Sequence, residues 1–345
     1  MKILVDAMSG DFAPVETIKG ASLAAKEYAD HEIVIVGDEN IISDIAIKNE
    51  IDISRLSIIH TPGIITMEDS PLSVVRDKRD SSMSVGLKSL SNGEVDAFVS
   101  AGNTGALITG ATIIVRRILG INRAAIASIL PLSIPVLLMD SGANLTVSSD
   151  NICQFAYMGA KYMEKIYGID RPRIGLLNNG TEYNKGNPLQ QESYQLLSEC
   201  GLNFVGNVEA KEVPFGVCDV LVTDGFTGNI FLKSIEGMGK FLLGMLKDVL
   251  TTNLVTKVST LTMKDKIQEL KTRFDSSEHG GAPLLGISKP VIKAHGSSDA
   301  KAIKNAVRQA IHYVETRITA DISSFAIDYD EKKVIADAEK MYSNI

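Results

Sequence analysis

The stretch Ser100-Ala101-Gly102-Asn103-Thr104-Gly105-Ala106 follows a β-branched run and opens a helical one. Small residues there leave backbone N–H groups accessible, and a helix start adds a positive dipole end. Such a loop suits a phosphate group, with Gly102, Asn103, Thr104 and Gly105 as the expected contacts. It has neither the GxxxxGK[ST] nor the GxGxxG pattern, so it is not a standard nucleotide loop. Three more loops share the pattern: Asp6–Asp11, Thr223–Asn229 and Lys293–Ser298. Any one could be an ordinary strand-to-helix turn; four in one chain suggest a site. The segment Asn179–Gly186 adds Glu182 and Lys185, and Glu278–Gly286 adds His279.

Other chemistries lack their residues. No Gly-x-Ser-x-Gly elbow and no HExxH motif occurs. Cys153, Cys200 and Cys218 lack CxxC spacing and have no clustered histidine, so they read as small core residues in a reducing compartment. The expectation is a reaction with no covalent acyl-enzyme, no catalytic metal and no cofactor.

Strands and helices must present these loops. Runs at Ile3–Val5, Ile33–Asp38, Leu56–His60, Ala97–Ser100, Val136–Asp140, Ile174–Leu177 and Asp219–Val222 read as strands. Helical patterns separate them, for example 16–29, 150–167 and 188–200. This alternation predicts an α/β fold with a doubly wound, mostly parallel sheet, expected as one domain over 1–345. Ligands of such sheets bind beyond the carboxyl ends of the strands, where the four loops fall. The apolar stretch Ala124–Met139 is interrupted by Pro131 and Pro135 and is too short to span a membrane; it reads as two strands. Met1 leads straight into the first strand pattern, with no signal peptide, so the cytoplasm is the expected location. The net charge of −7 argues against nucleic acid as a partner.

One region departs from the alternation. Phe231, Ile235, Met238, Leu242, Met245 and Val249 form a single helical stripe. Leu254, Val258 and Leu261 follow on one face, and Met263, Ile267, Leu270 and Phe274 repeat the spacing. Two long helices, arranged as a projecting hairpin over about 230–275, are expected. The stripe fits internal core, a dimer interface or a helical bundle. Between Lys257 and Arg273 there are five basic and two acidic residues. That excess fits a solvated face, or a dock for an acidic carrier protein or an anionic membrane.

Taken together, Asp6–Asp11 with Ala13-Pro14, Ser100–Leu107, Asp140–Asn144, Asn179–Gly186, Asp224–Asn229 and Gly280–Gly286 with His295–Ser298 resemble the motifs of the PlsX family of bacterial phosphate acyltransferases. The resemblance runs in order over nearly the whole chain. Ser9 stands where the family usually has a second glycine, and Ser141 where a valine is common. The resemblance implies a Rossmann-like fold related to isocitrate and isopropylmalate dehydrogenases. It implies transfer of an acyl group from acyl carrier protein to inorganic phosphate in phospholipid synthesis. It also implies a homodimer with peripheral membrane contact through a helical tip. Leu254, Val258, Leu261, Lys257, Lys264 and Lys266 are the expected membrane or carrier contacts.

On that reading Lys185 neutralises phosphate or the developing oxyanion. Asn229 and His295 donate to the thioester oxygen or protonate the leaving thiolate, and Asp224 orients these donors. Rival readings are a short-chain phosphate acyltransferase using coenzyme A thioesters and a noncatalytic membrane-surface scaffold for lipid enzymes.

Overall fold

The computed structural model describes residues 1–252, 263, 266–267, 280–327 and 329. Leu254, Lys257, Val258, Leu261 and Lys264 lie outside the described residues, as does most of the second expected long helix. Lys266 is described and exposed.

The first strands and helices are β1 Lys2–Asp6, α1 Val15–Glu27, β2 Glu32–Gly37, α2 Glu39–Lys48, β3 Leu56–His60, α3 Ser82–Asn92, β4 Ala97–Ser100 and α4 Thr104–Gly110. Next come β5 Ala125–Ile126, β6 Ser128–Ile129, β7 Leu137–Met139, α5 Ser149–Tyr167, β8 Ile174–Asn178, α6 Pro188–Glu199, β9 Phe204–Glu209 and β10 Val220–Val222. Then follow α7 Gly225–Leu250, β11 Ala282–Leu285, β12 Val291–Lys293 and α8 Ala300–Glu315, with residues 318–327 again helical.

The mostly parallel sheet of the sequence reading is two sheets. One has the order β3-β2-β1-β4-β12-β11-β5, and the other β6-β7-β10-β8-β9. In the first, β1, β2, β3, β4 and β12 are parallel. In the second, β7, β8, β9 and β10 are parallel. The 124–139 stretch makes three short strands, not two. β5 pairs with β11 of the first sheet, whereas β6 pairs with β7 of the second. The chain therefore crosses between sheets at Ala127, whose N–H donates to Pro283 O at 3.0 Å.

Helices cover both faces of the first sheet. Ile3 and Val5 of β1 pack with Ile18 of α1 and Ile303 of α8. Leu4 points the other way, towards Met83 and Leu87 of α3. That period of two, apolar on both sides, marks a strand buried on both faces. α5 lies over the second sheet, with Phe155 and Met158 beside Leu176 and Val222.

α4 ends at Gly110. A π turn follows at Ala111–Val115, and Arg116 leaves it at φ +76° and ψ 159°. α7 is the long helix expected from the stripe. Its first turns pack Phe231, Leu232 and Ile235 on the second sheet's core. Beyond them Met238, Phe241, Leu242, Met245 and Val249 are each more than half exposed.

Candidate active site

β1, β4 and β12 are parallel neighbours, so their C-terminal loops share one edge. Asp6 is buried at the end of β1; it accepts from Ser100 Oγ at 2.8 Å and from Met8 N–H at 3.2 Å. Burial pushes its carboxyl up from the ordinary range, against the pull of those donors. Asp11 N–H donates to Gly296 O at 2.7 Å, tying the first loop to the last. Gly102 faces Ser9, and a β-carbon at Gly102 would sit 2.8 Å from Ser9 Cβ. The Asn103 side chain is committed to structure. Its Oδ1 accepts the Ala106 N–H, and its Nδ2 points at the carbonyls of Thr66, Met67 and Asp69. What Gly102–Gly105 offers an anion is therefore chiefly main chain and the Thr104 hydroxyl.

Beside this loop lie two lysines and a histidine. Lys293 pairs with Ser100 across β12 and β4. Its partly buried ammonium donates to Ala294 O and makes no ion pair among the described residues. Burial holds its pKa down to about 8; Asp11 opposes that shift and Lys233 reinforces it. His295 stands at the rim, its Nδ1 2.8 Å from Ser297 Oγ and its Nε2 3.2 Å from Lys233 Nζ. Partial desolvation, then Lys233 and Lys293, push the imidazole below its usual value, which favours its neutral form at neutral pH. Lys233 is paired with Glu236 at 2.8 Å. Sequence reasoning missed Lys293 and Lys233 as site residues. Lys293 had a signal, since it heads one of the four loops. Lys233 had none, because it meets His295 from 62 residues away.

The second sheet contributes its own edge. β7, β10 and β8 are parallel neighbours, so the loops Asp140–Asn144, Asp224–Asn229 and Asn179–Gly186 leave it side by side. Asp140 is the hub. Its carboxylate accepts N–H groups from Ile126, Gly142, Ala143 and Asn144, and the Asn144 side-chain amide. Burial pushes this carboxyl up and the donors pull it back. Ser141 Oγ lies 2.7 Å from Ser128 Oγ and anchors the same loop. Asp224 caps α7, accepting Thr227 N–H at 2.8 Å and Thr227 Oγ1 at 2.7 Å. Gly228 packs directly on the Asp140 carbonyl, and the Asn229 side chain lies beside Gly142. Lys185 is about half exposed and reaches Glu182 at 4.0 Å, its one ion pair among the described residues.

The structure thus brings His295 to Lys233 and Lys293, and Asn229 to the Asp140 loop, with α7 touching both groups. Lys185 joins through its place on the second edge, not by a contact with either group. Among the described residues no group of His, Cys, Asp and Glu is arranged to hold a metal.

Comparison with known proteins fits this arrangement. A family model described as fatty acid synthesis protein matches residues 1–320. A protein of Thermoanaerobacter pseudethanolicus named phosphate acyltransferase is 46% identical over 319 residues, 92% of this chain and 95% of that one. The chain belongs to the phosphate acyltransferase family. Its fold recurs more widely. A phosphotransacetylase from Streptococcus pyogenes superposes with a TM-score of 0.57 at 17% identity, covering 95% of this chain and 94% of that one. A Salmonella typhimurium protein assigned as a 4-hydroxythreonine-4-phosphate dehydrogenase gives 0.55 at 12% identity, covering 90% and 98%. The family membership and the dehydrogenase-like fold are those the sequence motifs led one to expect.

Proposed function

We propose that this enzyme transfers a fatty acyl group from acyl carrier protein to inorganic phosphate, supplying acyl phosphate for phospholipid synthesis. The observation that carries the reading is the Lys293, Lys233 and His295 cluster against the backbone-rich Gly102–Gly105 loop. A neutral substrate has no use for the Lys293 ammonium, which has no ion pair among the described residues, whereas a phosphate dianion does. Hydrogen phosphate is already nucleophilic, so the main work is positioning it against the thioester carbonyl. Its oxygen attacks that carbon, the C–S bond breaks, and the proton of hydrogen phosphate passes to the departing thiolate. Neutral His295 is suited to relay that proton. Asn229 and Lys185 face the developing oxyanion, and Asp224 holds the helix start that carries Asn229.

The exposed apolar stripe of α7 supports two further parts of the proposal: a homodimer, and peripheral contact of its helical region with the cytoplasmic membrane face. No helix among the described residues is long and apolar enough to cross a membrane. Sedimentation of the purified protein and flotation with anionic liposomes test these two parts separately.

The test of the reaction mixes the enzyme with palmitoyl-acyl carrier protein, with and without phosphate, and follows free thiol. Phosphate-dependent release with an acyl phosphate product is expected. Release only from acetyl-coenzyme A would favour the short-chain reading, and no release from any thioester would favour the scaffold. Lys185→Ala should lower kcat by about 10²-fold, the scale of a lost oxyanion donor, with an unchanged melting temperature because Lys185 is surface-paired. Unaltered acyl phosphate formation would remove Lys185 from the mechanism.

A further inference from the structure

We infer that the pocket between α4 and the Ala143-Asn144 loop binds the phosphate of a pantetheine arm. The inference rests on the proposed thioester donor. The cavity has a volume of about 240 Å³. Thr109, Thr112, Arg117, Arg123 and Asn144 bring polar groups to it, and Ile113 supplies an apolar wall. Two arginines and no acidic residue line it, in a chain of net charge −7.

The contrast with a second surface cavity, lined by α5 and residues 321–325, is informative. That one has two lysines, but each is neutralised in place: Lys161 by Glu164 and Lys165 by Asp321. Arg117 and Arg123 make no ion pair among the described residues. Arg117 donates to Asn122 O, and Arg123 makes no hydrogen bond among them. Arginine forks and threonine hydroxyls are the groups that recognise a phosphate ester.

Backbone conformation places Arg117. The π turn Ala111–Val115 and the left-handed Arg116 turn the chain back on itself, and Arg117 then bridges Ile287. π turns and strained non-glycine residues concentrate at functional sites. The pocket is also well placed. α4 starts at Thr104, in the proposed phosphate loop, and the helical rise puts Thr112 about 12 Å further along. Asn144 belongs to the loop held by Asp140 beside Asn229. A pantetheine arm with its phosphate on Arg117 and Arg123 can therefore run back along α4 with its thioester at the catalytic loops. The arm would lie against Ile113, which is 52% exposed.

Carrier protein and coenzyme A both present this phosphate, so binding is measured on the shared fragment. Titration calorimetry compares 4′-phosphopantetheine with pantetheine on the wild type, on Arg117→Ala/Arg123→Ala and on Arg123→Gln. The wild type should bind the phosphorylated fragment at least about tenfold more tightly, the scale of one charge-assisted contact. The gap should close in the double variant and narrow in Arg123→Gln, a side chain that makes no hydrogen bond or ion pair among the described residues. Equal binding of both fragments by the wild type, or a gap that survives in both variants, overturns the proposal. Kinetics with acyl-carrier protein and acyl-coenzyme A identify the source. A rise in KM for both donors assigns the shared phosphate. A rise for the carrier protein alone, with the fragment gap intact in the variants, assigns the arginines to acidic residues of the carrier and overturns it. An intact wild-type gap without turnover of any thioester would fail the functional reading and leave the pocket standing.

Discussion

Gly228→Ala is expected to lose at least about 10²-fold in kcat and to unfold at lower urea. A β-carbon at Gly228 would collide with the carbonyl oxygen of Asp140. Neither partner can yield by rotating a side chain. Gly228 lies in the first turn of α7, which Asp224 pins by its cap, and Asp140 is pinned by its hydrogen bonds to Ile126, Gly142, Ala143 and Asn144. The helix start must therefore move off the loop, carrying Asn229 away from Gly142. Overpacking of this kind costs about 1–3 kcal/mol, and a displacement near 1 Å at a reacting centre costs about 10²-fold in rate. Gly237→Ala is the control: it lies further along α7 and nothing approaches its β-carbon position within 4 Å. There the alanine should stabilise by about 0.5–1 kcal/mol through helix propensity. Wild-type turnover in Gly228→Ala would show that the α7–Asp140 contact does not set the site.

The strands that the sequence reveals are those with unbroken apolar runs, such as Ile33–Val36 in β2 and Ile174–Leu177 in β8. β9 escapes notice because Gly206 and Asn207 interrupt Phe204–Glu209, and β11 because Pro283 sits inside it. β5 and β6 are two residues each, too short to show any period. They nevertheless decide that there are two sheets and not one. Site loops are legible for the opposite reason. Glycine and small polar residues at strand ends announce a ligand edge whatever the sheet order. What sequence cannot show is which loop faces which. Asn103 illustrates the limit: its position in the phosphate loop is readable, but the use of its amide on the 66–69 segment is not. Lys293 illustrates the converse, a residue in plain view whose importance appears only when burial and Lys233 are known.

Lys293→Met should raise the KM for phosphate by about tenfold or more, the scale of one lost charge-assisted hydrogen bond, and should make the free protein more stable. The two effects come from the same buried cation. Its folded pKa is about 8, against about 10.4 in an unfolded chain. Between these values the unfolded chain holds the proton that the folded one has lost, so wild-type stability rises with pH across that window. Below about pH 8 both states are protonated, and the full cost of keeping the ammonium desolvated stands. That cost is on the order of 3 kcal/mol. The methionine variant avoids it, so it should unfold at higher urea at pH 7 and lose this advantage by about pH 10. Added phosphate should reverse the order at pH 7, because the dianion compensates the charge that the empty site leaves unpaired. A structural lysine would give the other pattern: a variant less stable at pH 7, an unchanged phosphate KM, and no differential response to phosphate. The combination of tighter folding with weaker phosphate binding therefore separates a cation held in place for its substrate from one held for the fold.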